Sequence, residues 1–329
     1  MRIVNLISVV ILNWNCKEFL EGCVDSVLAQ DYPAVELLVM DNASTDDSIT
    51  WLRETYPDIT IVENSTNLGF AQAHNRAIDL TSGDYYVPLN PDVILEHDFL
   101  SHMVEAAELD PAVGSVSGKV LFMPEEGAKQ NLIYTTGHLL TKNRKPSNRG
   151  YKQADVGQYD KVDYVFGANG ACPLYKRAML HTIKIDGDYF DSRFFLYGDD
   201  YDMGWRSQLM GWKCLYTPYA VAHHSGKGSG GLLQPRIQYQ YARNRYIEIL
   251  KNDIFEHLIL DLPYILVYEL MWQGYTLMTD PRRLLVNLAA YVGFIAKLPA
   301  TLQSRREIHR RRHVAKSYMR AFFVGMTLR

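Results

Sequence analysis

Asn90 and Asp92 are oxygen-bearing side chains at i and i+2, at the end of the apolar run 85–89. A strand followed by a turn limited by Pro91 puts both at the strand's carboxyl end, where open α/β sheets bind ligands. An amide oxygen and a carboxylate beside a diphosphate suit a hard cation. Taken alone, Asn-Pro-Asp is usually a polar turn, so the surrounding elements decide its meaning. A second concentration of acid lies at Asp199, Asp200 and Asp202, behind an aromatic run that ends at Gly198. The spacing predicts a helix over 199–210, closed by Gly211. The helix dipole favours acids in a first turn, but three carboxylates within four residues exceed what a cap requires.

These residues need a scaffold, and the first 117 residues read as alternating strand and helix. Apolar runs of strand length occupy 7–12, 35–40, 59–62, 85–89 and 113–117. Between them, Phe19, Leu20, Cys23, Val24, Val27 and Leu28 recur at helical spacing, and helices are predicted over 47–55, 70–80 and around 99–107. Repeated βα alternation with short connections predicts an α/β fold with a doubly wound, mostly parallel sheet. Polar residues fall where such a sheet binds ligands: Asn13 and Asn15, Asp41 and Asn42, Asn64 and Asn67, then Asn90 and Asp92. The result is a crevice lined by amides and carboxylates. A dinucleotide fold would show G-x-G-x-x-G after its first strand, but here that turn reads Asn13-Trp14-Asn15-Cys16. A P-loop is absent too. A nucleotide held without glycine loops needs side chains for its base and ribose and a cation for its diphosphate. Asp41 can accept from a base imide or a ribose hydroxyl, and a metal at Asp92 would take the phosphates.

The composition is that of an ordinary globular protein: 329 residues, 47% hydrophobic and 22% charged. Cys16, Cys23, Cys172 and Cys214 have neither paired nor metal-ligand spacing and read as the reduced thiols of a cytosolic protein. The opening apolar run is too short for a membrane span and reads as a first strand. The net charge of −3 is unevenly spread, about +7 from residue 301 onward and about −10 before it.

In the second half, residues 124–162 are rich in Gly, Lys, Asn and Gln and read as a hairpin-like insertion or acceptor-side lid. The small residues of 166–172 permit close backbone approach to a ligand. A strand is predicted over 212–216, followed by Pro218 to His224. Residues 225–231, with four glycines, read as a flexible loop able to order over a nucleotide. Arg243 or Arg245 could reach a phosphate, and a solvated helix face is an equal reading. Arg206 more readily pairs with an acid of its own helix than with a diphosphate. Residues 254–300 are apolar but punctuated by charge, and their longest late uncharged run, 284–296, has 13 residues, short of the ~20 that span a bilayer. Such helices suit a membrane interface, and Arg305, Arg306, Arg310, Arg311, Arg312 and Lys316 would attract anionic lipid. A nucleic-acid arm is disfavoured by the apolar helices before it; homodimer helices are the plainer alternative.

The motifs Ile7-Ser8-Val9-Val10-Ile11-Leu12-Asn13-Trp14-Asn15, Val39-Met40-Asp41-Asn42-Ala43-Ser44-Thr45-Asp46, Asn67-Leu68-Gly69-Phe70-Ala71 with Asn75, and Leu89-Asn90-Pro91-Asp92 occur in order. Together they resemble the family 2 glycosyltransferases of GT-A fold, in particular their bacterial rhamnosyltransferase-like branch, over about residues 5–252. The resemblance implies inverting transfer of a sugar from a nucleotide-diphospho-sugar, with dTDP-rhamnose one candidate donor, and Mg²⁺ or Mn²⁺ near the diphosphate. It implies that Asn13, Asn15, Asp41, Asn42, Asn67, Gly69, Asn75 and Asn90 contribute to the nucleotide-sugar pocket and that Asp92 is the metal carboxylate. It selects Asp200 as the base that takes the acceptor hydroxyl proton, with Asp199 orienting it or the acceptor; the like charges of Asp199 and Asp202 would by themselves sustain its basicity. It selects His224 as a second metal ligand, with His223 in reserve. Where the family has D-x-D this chain has Asn90-x-Asp92, which predicts weaker metal affinity. The implied organisation is a glycosyltransferase domain over 1–252, its nucleotide half about 1–117 and its acceptor half 118–252, then a basic amphipathic helical tail over 253–329. The implied acceptor is a lipid-linked glycan in cell-surface polysaccharide synthesis, met by a peripheral enzyme at the cytoplasmic face of the membrane. Two other classes share parts of this pattern. A nucleotidyltransferase making nucleotide-sugars would need a Gly-rich basic loop after the first strand, which 13–17 does not supply. A non-catalytic nucleotide or sugar binding protein would not need Asp92, Asp200 and His224 together.

Overall fold

A computed structural model describes residues 4–124, 130–226 and 234–326. The continuous apolar runs become strands covered on both faces, which is why they do not alternate with polar residues. Strand β1 (Ile7–Asn13) lies between β2 (Val35–Asp41) and the later β4 (Tyr85–Leu89), parallel to both, and β3 (Thr60–Glu63) extends the parallel set beyond β2. Along β1, Ile7, Val9 and Ile11 enter one core and Val10 the other, the period of two that a pleated strand imposes. Helices α1 (Lys17–Leu28), α2 (Ser48–Thr55) and α4 (Phe99–Glu108) cover the first face. Helix α3 (Gly69–Leu80) covers the second with α5 (Arg177–Ile183) and α6 (Asp199–Leu209). In α1 the buried Leu20, Cys23, Val24 and Val27 repeat at helical spacing, and each large apolar side chain buried this way contributes about 1.5–3 kcal/mol.

The second half makes the sheet mixed. Its strands are β5 (Val93–Leu95), β6 (Val113–Phe122), β7 (Ile133–Thr135), β8 (His138–Thr141), β9 (Ser147–Asn148), β10 (Asp163–Val165), β11 (Leu174–Lys176) and β12 (Lys213–His224). The order is β10-β12-β6-β11-β4-β1-β2-β3, with β5 on β12 and β7 on β6. Strand β11 runs antiparallel between β4 and β6, while β12 runs parallel to β6. The strand expected over 212–216 continues to His224 through a register shift between Tyr216 and Val221. Pro218 lies in that shift, as suits a residue with no amide to give a ladder. The insertion forms β7 to β9 on either side of a turn at Gly137, and part of it, residues 125–129, lies outside the described residues.

Five helices follow: α7 (Pro235–Asn252), α8 (Phe255–Thr279), α9 (Arg283–Ala296), α10 (Leu298–Arg310) and α11 (Lys316–Ala321), ending in β13 (Phe323–Val324), which pairs with β8. Buried charges bind them to the sheet region. Lys251 of α7 reaches Asp202 of α6 at 2.6 Å and also pairs with Asp191. Arg144 reaches Asp253 at 2.8 Å and Asp261 of α8 at 2.7 Å. Breaking one partner of such a buried pair typically costs 3–5 kcal/mol, because a charge is left uncompensated. The outer side of α8 stays apolar and exposed at Phe255, Ile259, Leu260, Leu266, Leu270 and Met278. Among the described residues no single helix is long and apolar enough to cross a membrane; α9 and α10, bent by 59°, meet that criterion only together.

Candidate active site

The carboxyl ends of β1, β2 and β4, the start of α3, the segment before α6 and the end of β12 surround a cavity of about 580 Å³. Of the residues singled out from sequence, Asn42, Asn67, Gly69, Asn90, Asp92, Asp199, Asp200 and His224 line it.

Asp92 and His224 meet because β5, which begins at Val93, pairs with β12 in the register His224↔Val93. The His224 Nε2 lies 3.1 Å from one carboxylate oxygen of Asp92, and the Ser225 hydroxyl donates to the other at 2.7 Å. Both residues are buried, and Tyr134 stands edge-on to the imidazole at 4.2 Å. Among the described residues the Nδ1 of His224 has no hydrogen-bond partner. A carboxylate plus an imidazole fits a borderline divalent cation that takes its other ligands from phosphate oxygens and water. His223 falls on the opposite side of the strand, as alternation requires, and its Nε2 pairs with Glu96 at 2.9 Å. The reserve assignment to His223 therefore does not hold. Of the loop expected over 225–231, residues 227–231 lie outside the described residues.

Helix α6 begins after Gly198, whose φ of +89° turns the chain so that the acids open the helix. One Asp200 oxygen accepts from the Gly170 amide at 2.9 Å and lies 3.3 Å from His138 Nε2; the other accepts from the Tyr201 amide at 2.8 Å. Burial alone would raise its pKa, but His138 and these two amides outweigh it and hold the carboxyl below the usual range. Asp199, buried and next to the Asp200 charge, is pushed well above that range. The expectation that Asp199 and Asp202 would keep Asp200 basic is thus corrected. Asp202 is neutralised by Arg206, 2.8 Å away on the same helix, and by Lys251, and the group that dominates at Asp200 is a histidine. Arg206 turns inward, donating also to Ile183 O and Tyr189 O.

The nucleotide-side residues divide into wall and support. Asn42 donates to Gly69 O at 3.1 Å and accepts from Asn64, and Asn67 accepts from the Gly69 amide at 2.9 Å. Gly69 has φ +74°, and a Cβ there would collide with Phe195 O, so glycine is required for α3 to meet the segment before α6. Asn90 joins the small-residue segment through its amide to Ala171 O at 2.9 Å. Behind the wall, the Asn13 amide donates to Asp41, Ser44 and Ser48, while Asp41 also accepts from Ser44. Asn15 accepts from the amides of Thr45 and Asp46. Asn75 bonds both ways with the Phe190 backbone. These four do not line the cavity; they hold the loops that do.

Sequence reasoning passed over His138 and Tyr134, which sit in an insertion with no periodic signal. It also passed over Trp14, Phe195 and Arg236, which line the cavity. Arg243 and Arg245, the expected phosphate contacts, are instead buried in α7 and bonded to backbone carbonyls and polar side chains. Arg236 is the sole Lys or Arg among the described lining residues, and it stacks over the Phe195 ring.

A model of glycosyl transferase family 2 matches residues 8–178. Over 248 residues the chain is 27% identical to the N-acetylglucosaminyl-diphospho-decaprenol L-rhamnosyltransferase of Mycobacterium tuberculosis, spanning 69% of this chain and 78% of that protein. It superposes on the mannosyltransferase PcManGT from Pyrobaculum calidifontis, solved with GDP-Man and Mn²⁺, with a TM-score of 0.56 and 19% identity over 98% of this chain and 84% of the other. It also superposes on residues 1–349 of TarS from S. aureus, solved with UDP-GlcNAc, with a TM-score of 0.56 and 16% identity over 96% and 92%. Both solved relatives share its fold.

Proposed function

The chain belongs to glycosyl transferase family 2, whose members move a sugar from a nucleotide-sugar donor, and we propose that it does so with inversion, using Asp200 as base. The observation that carries this reading is that a carboxylate, Asp200, and the Asp92–His224 pair line one cavity at the carboxyl ends of the sheet. The acceptor hydroxyl oxygen forms the new bond to the anomeric carbon, the bond from that carbon to the diphosphate breaks, and the hydroxyl proton passes to Asp200. The nucleoside diphosphate leaves with the bonding electrons. With its pKa depressed, Asp200 is ready to accept that proton across the neutral range. Asp92 and His224 would hold Mg²⁺ or Mn²⁺, which supplies charge neutralisation at the departing diphosphate.

The mycobacterial relative transfers L-rhamnose to a lipid-linked diphospho-sugar, which favours dTDP-rhamnose as donor and a lipid-linked glycan as acceptor here. In this reading residues 1–117 bind the nucleotide and 118–252 the acceptor. Residues 253–329 rest on the cytoplasmic face of the membrane through the exposed apolar side of α8 and the exposed Arg306 and Arg310, whereas Arg305 and Arg311, expected to join them, donate inward to backbone carbonyls. The aromatic residues Tyr134, Phe195 and Tyr197 give the acceptor side rings on which sugars stack.

The deciding experiment is a nucleotide-sugar hydrolysis screen with Mn²⁺ or Mg²⁺, comparing wild type with Asp200→Asn and Asp92→Ala. Donor-selective turnover is expected, lost in Asp92→Ala, and lost in Asp200→Asn while nucleotide binding persists. Full turnover in Asp200→Asn would remove the base assignment. Failure of the folded, metal-loaded protein to bind any nucleotide-sugar would overturn the reading.

A further inference from the structure

We propose that His138 is the positioning residue for Asp200: its Nε2–H holds the base carboxylate in place. The inference rests on the reading of Asp200 as the base. Three observations carry it. His138 Nε2 lies 3.3 Å from the Asp200 oxygen that also accepts from Gly170. The imidazole lies nearly flat on the Tyr201 ring, with centroids 4.3 Å apart and planes at 29°. Its Nδ1 is buried with no hydrogen-bond partner among the described residues.

That last observation selects the tautomer. A buried N–H without an acceptor is costlier than a bare lone pair, and a lone pair on Nε2 would face the carboxylate charge. Both requirements are met when the proton sits on Nε2 and Nδ1 is bare. The ring is fixed independently of Asp200. Its backbone amide donates to Gly167 O at 2.8 Å, and β8 pairs with β9 in the register His138↔Asn148. The stacked Tyr201 is itself tied down, bonded by its hydroxyl to Leu139 O and to Ser147. Asp200, at 3.3 Å, and the stacked Tyr201, both of α6, are titratable groups in contact with His138, while β9 and the segment 166–172 present Asn148 and Gly167.

This reverses the familiar His–carboxylate arrangement, in which the imidazole takes the proton and the acid orients it. Here the carboxylate faces the cavity and the imidazole stands behind it. The insertion that carries His138 also carries Tyr134, which abuts His224, so one short segment, β7 to β8, backs both ends of the proposed chemistry.

The test uses the full chain in two measurements. Ring ¹⁵N spectra of the histidine-labelled protein are expected to show His138 protonated on Nε2 and bare on Nδ1, with Nε2 shifting in Asp200→Asn. Protonation on Nδ1, or ring signals indifferent to Asp200→Asn, would overturn the proposal even if every His138 variant failed to fold. The second measurement is the pH dependence of turnover of the donor selected by the hydrolysis screen, in His138→Ala and His138→Gln. Removing the donor leaves burial to raise the Asp200 pKa, so the acid limb is expected to move up by about one pH unit or more in His138→Ala and by less in His138→Gln. With it, kcat falls about 10- to 100-fold while KM stays within about threefold. A folded His138→Ala with reduced kcat and an unmoved acid limb would make the residue merely structural. An active Asp200→Asn would sink the base assignment instead, so the two failures are told apart.

Discussion

Glu248 of α7 closes over the first turn of α6 so tightly that a Cβ on Gly198 would overlap its Oε1. The glycine is required for its φ of +89°, and a Cβ there would also force the Glu248 carboxyl to move. Glu248 is itself buried, with that Oε1 unbonded, and it faces the charges of Asp202 and Asp200. A fourth acid thus crowds the three that open the helix.

Gly198→Ala is expected to destabilise the fold by about 2–4 kcal/mol, of which roughly 1–2 comes from holding a non-glycine residue in the left-handed region. Thermal or urea melts would measure it. Because the rest is overlap with Glu248, the loss in Gly198→Ala/Glu248→Ala should be smaller than the sum of the two single losses. Strict additivity would show that the two residues do not meet.

Glu248→Gln tests the electrostatics. Burial first, then Asp202 and Asp200, push the Glu248 carboxyl well above its ordinary range. A carboxyl whose folded pKa is raised takes up protons on folding, so the wild type loses stability as pH rises above the unfolded value near 4.3. Gln has no such dependence. The stability of Glu248→Gln relative to wild type should therefore improve between about pH 4 and pH 8, by on the order of 1–2 kcal/mol. Urea melts across that range would show it, and a pH-independent difference would contradict it.

Asp92→Ala removes the only carboxylate of the Asp92–His224 pair. Calorimetric binding of dTDP or UDP in the presence of Mn²⁺ should weaken about 100-fold, ~2.7 kcal/mol, and His224→Ala about 10-fold. Chelating the metal should bring wild type close to Asp92→Ala. Wild-type affinity in Asp92→Ala would place the diphosphate elsewhere.

The exposed side of α8 supports a membrane test with the folded core left alone. Leu270 and Met278 are 73% and 86% exposed, so Leu270→Ser/Met278→Ser should leave the melting temperature within about 1 °C. Binding to phosphatidylglycerol vesicles should weaken at least about 10-fold, since each large apolar side chain buried contributes about 1.5–3 kcal/mol. Salt should weaken wild-type binding through the basic residues. Unchanged vesicle binding would exclude this face.

The sheet was legible because its central strands are buried on both faces and its helices carry one apolar side. The apolar runs 7–12 and 85–89 become strands whose ends lie within one residue of those runs. What escaped was decided by tertiary pairing. Nothing local in 166–176 signals that β11 (Leu174–Lys176) will insert antiparallel between β4 and β6. The pairing of β5 with β12, which seats His224 on Asp92, joins residues more than 120 positions apart. His138 gave no sign because a single histidine in an aperiodic insertion has many bland explanations, and only its neighbour across space distinguishes it. Asp41 and Asn13 could be ranked as polar residues at strand ends, but their mutual bond, which turns them from wall to support, depends on the register of β1 and β2.

Arg144 gives the chain's organisation a heritable consequence. This buried cation in the insertion finds its carboxylates at Asp253 and Asp261, beyond the end of α7 at Asn252. The tail helices therefore do not vary independently of the sheet region. A recombination event that exchanged residues 253–329 with those of a relative would have to deliver acids to the same two positions, or strand a charge beneath the strand that carries His138. Whatever surface these helices adapt to, they can do so only on their outward faces, while their inward faces descend with the sheet region as one unit of selection.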